Sequence, residues 1–190
     1  NRQFQGIPGI EITPSGRLWA TWYSGGVNEG PENFPLLVSS VDNGITWSEP
    51  VAVVDPPGNV RAYDATLWHD PFGRLWWFWA QGYSPADRKI HDGRAGVWGA
   101  YSEDSTVANP VFSEPVRIAN GVMMNKPTVL RSGEWAMPTA VWEYMEPRLE
   151  ELQTERFSNM TVSRDNGRTF ERRGGADVPD RCFDEHMIVE

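Results

Sequence analysis

Ser40-Val41-Asp42-Asn43-Gly44-Ile45-Thr46-Trp47 and Ser163-Arg164-Asp165-Asn166-Gly167-Arg168-Thr169-Phe170 follow one pattern, S-x-D-x-G-x-T-aromatic. Between them Ser102-Glu103-Asp104 keeps the opening and loses the glycine, and the three serines stand 62 and then 61 residues apart. Phe112-Ser113-Glu114-Pro115 likewise repeats Trp47-Ser48-Glu49-Pro50. A second series keeps the same step: Ile7-Pro8-Gly9-Ile10, Asp64-Ala65-Thr66-Leu67, Lys126-Pro127-Thr128-Val129 and Glu185-His186-Met187-Ile188. Two independent landmarks sharing one period identify a repeat architecture. In the S-x-D-x-G-x-T-aromatic segments, Asp and Ser side chains satisfy turn amides, Gly accepts a positive φ, and the aromatic residue packs between strands. These segments are therefore read as structural: they specify architecture, not chemistry.

Within each period the apolar pattern is that of strands. Arg17-Leu18-Trp19-Ala20-Thr21-Trp22-Tyr23 alternates around its tryptophans, Arg74-Leu75-Trp76-Trp77-Phe78-Trp79 repeats it, and Glu134-Trp135-Ala136-Met137 follows Ser132-Gly133. Aromatic and β-branched runs bounded by Gly, Pro, Asn and Asp are strand and turn signals. About four strands fit each period, the content of a propeller blade. The exception is Glu143 to Phe157, where Pro147-Arg148-Leu149-Glu150-Glu151-Leu152 predicts a short helix inserted between strands of the third repeat.

Composition narrows the function classes. The 190 residues are 39% hydrophobic and 23% charged, with a mean hydropathy of -0.50, a globular balance. No stretch approaches the roughly 20 apolar residues of a spanning helix. Asp and Glu outnumber Lys and Arg 26 to 17, a net charge of -9, which argues against a nucleic-acid partner. The one cysteine, Cys182, excludes an internal disulfide framework and a cysteine-built zinc site. Ten tryptophans suggest repeated short strands and, more weakly, a sugar-stacking surface. His69 and His91 read as turn residues without metal-ligand spacing.

With two good copies and one degenerate copy of the repeated segment, the whole chain resembles the sialidase (neuraminidase) superfamily, and within it the bacterial BNR or Asp-box repeat proteins. The resemblance implies an all-β fold, a six-bladed β-propeller. About three blades (5–55, 60–119 and 122–175) and the start of a fourth (180–190) would lie in this chain. A complete ring needs roughly twice this length, so the remaining blades of a longer chain or a second copy would complete it. Such a segment alone is expected to be inactive. A secreted or periplasmic location is what the resemblance favours; it implies no cofactor and no metal.

In this family the pocket lies on the propeller axis, where the innermost strands begin. The resemblance therefore places Gly6-Ile7, Tyr63-Asp64, Asn125-Lys126 and Asp184-Glu185-His186 around it, with the Gly25–Asn33 loop. Sialidases retain configuration with a tyrosine nucleophile assisted by a glutamate, an aspartate as acid/base, and three arginines clamping the sugar carboxylate. Tyrosine replaces the usual carboxylate nucleophile in these enzymes. Glu29, in Gly25-Gly26-Val27-Asn28-Glu29-Gly30-Pro31-Glu32-Asn33, is similar in place to the family acid/base, with Glu for Asp. Asp64 resembles the pocket aspartate of the second blade, and Glu185 the glutamate that polarises the tyrosine. One departure bears on substrate: the family's first arginine precedes Ile-Pro, whereas Gly6 precedes Ile7-Pro8 here. Arg61 or Arg181 would have to approach from elsewhere to replace it.

The resemblance thus implies an exo-acting glycoside hydrolase that removes a terminal sugar, acidic or not, from a glycan. Its catalytic candidates are Glu29 and Glu185; Arg61, Asp64, Lys126, Asp184 and His186 are its substrate-binding candidates. Two other readings use the same rim. One is a non-catalytic carbohydrate-binding propeller; the other is a uronate-directed lyase or neutral-sugar hydrolase relying on His186 and Lys126.

Overall fold

The computed structural model describes residues 3–83, 92–144 and 148–190. It is built from three four-stranded antiparallel sheets, each a meander in chain order. The first holds β1 (Gln5–Ile12), β2 (Leu18–Ser24), β3 (Phe34–Ser40) and β4 (Ala52–Val53). The second holds β5 (Val60–His69), β6 (Leu75–Tyr83), β7 (Gly96–Ser102) and β8 (Val116–Ala119). The third holds β9 (Thr128–Val129), β10 (Trp135–Ala140), β11 (Ser158–Ser163) and β12 (Glu171–Ala176). These are the blades of a partial propeller, and the first turn is the same in each. Thr13, Asp70 and Leu130 donate their amides to the carbonyls of Arg17, Arg74 and Glu134.

Stacking of blades explains why the strand residues are so apolar. Leu75 to Ala80 of β6 are buried on both faces, so the run is continuous where a one-sided sheet would alternate. Between the first two blades lie Trp19, Leu37, Leu67, Trp77 and Trp79. Between the second and third lie Trp68, Trp76, Phe78, Met123, Trp135 and Met137. Each such side chain contributes about 1.5–3 kcal/mol on burial. Two indole N–H groups are satisfied across the seam: Trp19 donates to the Ser105 carbonyl at 3.1 Å and Trp77 to Thr21 Oγ1 at 2.9 Å. Seven of the ten tryptophans are buried, six of them in these two cores. Most of the tryptophan content is therefore inter-blade core, not sugar-stacking surface.

The two S-x-D-x-G-x-T segments occupy the turns between third and fourth strands and share one hydrogen-bond pattern. The Ser40 hydroxyl donates to Asp42 Oδ1 at 2.8 Å and accepts the Gly44 amide at 2.9 Å. Asp42 accepts the amide and the hydroxyl of Thr46, at 2.9 and 2.6 Å. Ser163, Asp165, Gly167 and Thr169 reproduce these bonds at 3.0, 2.8, 2.8 and 2.6 Å. Gly167 has φ +86°, and a Cβ there would stand 2.7 Å from the rings of Trp135 and Trp76; both facts require glycine. The aromatic ends differ. Phe170 packs against the core between the second and third blades, whereas Trp47 is 42% exposed and only bonds its own turn at the Gly44 carbonyl.

Between β10 and β11 the helical stretch is a 3-10 helix, Glu150–Glu155, anchored by buried Leu152. It begins later than the sequence pattern predicts, and Pro147 lies outside the described residues. Beyond β12 the chain runs beside β9 without forming a strand. Asn125 Nδ2 donates to the carbonyls of Glu185 and His186, at 2.9 and 3.1 Å, and the Thr128 hydroxyl to that of Ile188 at 2.6 Å. Among the described residues no helix is long and apolar enough to cross a membrane.

Candidate functional site

Three structural devices bring carboxylates together. The first is a bulge in each of the innermost strands β1 and β5: the pairing skips between Gly6 and Gly9, and again between Tyr63 and Thr66. Ile7 and Asp64, inside these bulges, have φ of +44° and +47°. A bulge re-aims a side chain that the pleat would otherwise send into a neighbouring sheet. The second device is the loop from Gly25 to Asn33, folded around a buried asparagine. Asn33 Nδ2 donates to the carbonyls of Gly25 and Asn28 at 3.0 and 3.1 Å, and Oδ1 accepts the Gly30 amide at 2.8 Å. This loop presents Glu29. The third is the C-terminal segment, tethered by Asn125 and by Trp142 Nε1, which donates to the Asp184 carbonyl at 3.1 Å; it presents Glu185.

Glu29, Asp64 and Glu185 line one cavity of about 200 Å³ with Ile7, Tyr63, Met124, Trp142 and Phe183. Burial, reinforced by the charge of Glu185 and opposed by Arg61, pushes the Asp64 carboxyl up to about 7. That is where a group can both hold and release a proton at neutral pH. Glu29 instead accepts the Tyr23 hydroxyl at 2.6 Å. Burial first, and then the Asp64 charge, pushes the Tyr23 phenol up to about 12, and burial raises that of Tyr63 as well.

The remaining sequence candidates lie off the cavity lining. Arg61 is 0% exposed, stacked over the rings of Tyr63 and Tyr23 at 4.1 and 5.7 Å. Its three guanidinium nitrogens have no partner in hydrogen-bond geometry among the described residues. Burial lowers its pKa, and the nearby Tyr63, Tyr23 and Asp64 counter this. Lys126 forms an ion pair with Glu11 at 2.9 Å. Asp184 pairs with Arg181 at 3.1 Å, and Arg181 also meets Asp177 at 3.0 Å, so Arg181 is engaged away from the cavity. His186 places Nε2 2.9 Å from the Asn159 carbonyl; that nitrogen then carries the proton, and Nδ1 is buried without a partner. His69 meets the Ser105 hydroxyl at 3.3 Å, and His91 lies outside the described residues. No cluster of three or more His, Cys, Asp or Glu among the described residues is arranged to hold a metal ion.

Gly6 has a steric cause. A Cβ there would meet Cζ and the hydroxyl of Tyr23 at 2.8 and 3.0 Å, and the Phe4 ring at 2.9 Å. The space an arginine would need at this position is filled by Tyr23. Sequence reasoning missed Tyr23, Met124, Trp142 and Phe183. Trp142 and Phe183 look like ordinary core or loop aromatics in sequence. The available signal for Tyr23 is that it ends β2 six residues before Glu29.

No protein-family model and no curated protein matches this sequence. Solved structures do match its shape. The Hadza microbial sialidase Hz136 superposes with a TM-score of 0.60 at 15% identity, over 88% of this chain and 37% of that one. A mutant Trypanosoma rangeli sialidase gives 0.62 at 16% identity, over 88% and 30%. Zg3597, a family 117 glycoside hydrolase from Zobellia galactanivorans, gives 0.60 at 14%, over 88% and 54%. The chain thus spans about half or less of the length of these neighbours. Its three four-stranded sheets stack as theirs do, and the fold is that of a sialidase-type β-propeller, of which this chain forms three blades.

Proposed function

We propose that the complete protein is an exo-acting glycoside hydrolase and that Glu29, Asp64 and Glu185 are the carboxylates of its active cavity. The observation that carries this reading is their convergence from three separate parts of the chain onto one cavity walled by Tyr63, Trp142 and Phe183. Glycoside hydrolysis needs a proton for the departing oxygen and a carboxylate to stabilise or attack the opposite face. Such roles require carboxyl groups with environments that push their pKa values apart. Asp64, pushed up to about 7, is suited to carry the proton, and Glu29 accepts a hydrogen bond from Tyr23. The aromatic walls offer apolar faces for a sugar ring. The similarity in fold to sialidases and to a family 117 glycoside hydrolase is consistent with this chemistry.

The substrate is a terminal sugar other than sialic acid. Among the described residues, three acids and no cationic side chain line the cavity, Gly6 leaves no room for a guanidinium, and Arg61 is covered by two tyrosine rings. An anionic sugar would meet like charge without a bidentate partner. A fluorogenic panel of neutral, uronic and sialic glycosides, applied to the complete protein, tests both statements. Turnover of a neutral glycoside, lost in Glu29→Gln and in Asp64→Asn, is the expected result. Saturable sugar binding without turnover of any substrate would replace the enzyme by a carbohydrate-binding propeller. Selective turnover of sialosides would overturn the substrate assignment.

A further inference from the structure

Arg61 carries a charge that no ion pair among the described residues neutralises, although the nearby Tyr63, Tyr23 and Asp64 favour it. It is fully buried, and no carboxylate among the described residues forms an ion pair with it; its nitrogens fall outside strict hydrogen-bond geometry, but the Tyr23 hydroxyl is near enough to favour its charge as a hydrogen-bond partner. A guanidinium does not deprotonate in a protein, and an uncompensated buried charge is strongly destabilising. Compensation must come through what touches it. The faces of Tyr63 and Tyr23 supply part. The Tyr23 hydroxyl extends the contact to an anion, because it donates to Glu29 Oε1 at 2.6 Å. Tyr23 is itself fixed: it is 1% exposed, lies against Phe4 with ring centroids 5.6 Å apart, and is so close to residue 6 that only glycine fits there.

The cavity-lining groups described around Glu29 are of a different kind. Tyr63 and Asp64 reach the cavity from β5, Glu185 from the C-terminal segment, and Glu32 belongs to the same loop as Glu29. Asp64 and Glu185 repel one another, so full ionisation of all the carboxylates is costly. Asp64 accepts no hydrogen bond from a described side chain, whereas Glu29 has a phenol directed at it.

We propose that Tyr23, backed by the Arg61 cation, is a positioning residue that aims Glu29 and holds it as the permanently ionised carboxylate of the cavity. Asp64 is thereby left as the group that carries the exchangeable proton. Tyr23 is not a nucleophile: it does not line the cavity, and its proton is committed to Glu29. The assignment deepens the glycosidase reading, since it says which carboxyl is acid and which is base.

The test is a carboxyl-carbon NMR titration of the complete protein, with Glu29 and Asp64 followed separately. Tyr23→Phe keeps the ring and removes the donor. A lost hydrogen bond to a charged acceptor corresponds to an upward shift of the Glu29 midpoint by about one pH unit or more. Arg61→Gln is expected to raise it in the same direction. Replacing residue 23 with a fluorinated tyrosine, nearly the same shape and a stronger donor, is expected to lower it; this measurement decides the matter where Tyr23→Phe does not fold. A Glu29 midpoint that ignores these changes overturns the proposal. The titration needs no substrate. A shifted Glu29 in a protein that hydrolyses no glycoside keeps the positioning role and removes the glycosidase reading. An unshifted Glu29 in an active enzyme does the opposite.

Discussion

Ile7 and Asp64 occupy the same place in successive blades, each inside a bulge of the innermost strand and each with left-handed φ, +44° and +47°. For a β-branched residue this backbone is an outlier; Asp and Asn adopt it more readily. Strain of this kind costs on the order of 1–3 kcal/mol and persists where a site needs the side chain aimed. Ile7→Asn is therefore expected to leave stability unchanged or to raise it by about 1 kcal/mol in chemical denaturation, despite the lost apolar surface. A loss of about 2 kcal/mol or more would show that Ile7 is held by its packing and not tolerated against its backbone.

Asp64 makes a prediction with a definite sign. Its folded pKa of about 7 stands above the ordinary 3.8, chiefly through burial. The neutral acid is thus the form the fold prefers, so the stabilisation is complete below about pH 4 and is lost as pH rises towards 7. A shift of that size corresponds to roughly 4 kcal/mol at full ionisation. Asp64→Asn, which keeps the left-handed backbone and cannot ionise, should match the parent at pH 4 and exceed it by a few kcal/mol at pH 8. Parallel denaturation curves at the two pH values check this. Equal stabilities at pH 8 would mean that Asp64 ionises in the fold without cost.

Restoring the absent guanidinium at residue 6 should fail. Gly6→Arg drives a Cβ into Tyr23 and Phe4, at 2.8 and 2.9 Å, an overpacking expected to cost about 1–3 kcal/mol. It also displaces the hydroxyl that holds Glu29. Calorimetric titration should show no gain in sialic-acid affinity. Coupling Gly6→Arg with Tyr23→Ala should cost less than the two single changes together, since both act on one space. Strict additivity would show that residue 6 and Tyr23 do not compete.

The repeat was legible because its signals are local. A Ser-Asp-Gly-Thr turn needs only its own residues, and the apolar runs of β2, β6 and β10 announce strands wherever they fall. The meeting of Glu29, Asp64 and Glu185 was legible through family resemblance and the shared period, since residues at equal phase in a repeat converge on the axis. What remained hidden depends on side-chain direction. Lys126 shares its phase with Ile7 and Asp64, yet turns to Glu11. His186 adjoins Glu185, but its ring meets the Asn159 carbonyl and not the cavity lining. Arg61 looks like a substrate ligand until Tyr23 and Tyr63 are seen to cover it. The space filled by Tyr23 appears in sequence only as a glycine in place of an arginine.

The two serine-aspartate turns permit a comparison in which one variable changes. Both aspartates are held well below the usual range, at about 2, mainly by hydrogen bonds from Thr46 and Thr169. A depressed carboxylate stabilises the fold above its unfolded pKa and loses that contribution as pH falls from about 4 to about 2. Asp42→Asn and Asp165→Asn should therefore each lower the melting temperature by a few degrees at pH 7 and flatten the acid limb of the stability curve. The surroundings differ where the bonds do not. Behind Asp165, Gly167 lies against Trp76 and Trp135, and Phe170 packs into the core between the second and third blades. Behind Asp42, Trp47 bonds its own turn and stays largely exposed. A displaced turn at Asp165 disturbs an inter-blade core, whereas one at Asp42 disturbs surface, so the loss in Asp165→Asn should be clearly the larger. Melts of both variants at pH 7 and pH 3 decide the point. Equal losses at pH 7 would show that the turn contributes through its own hydrogen bonds alone, independently of the blade beside it.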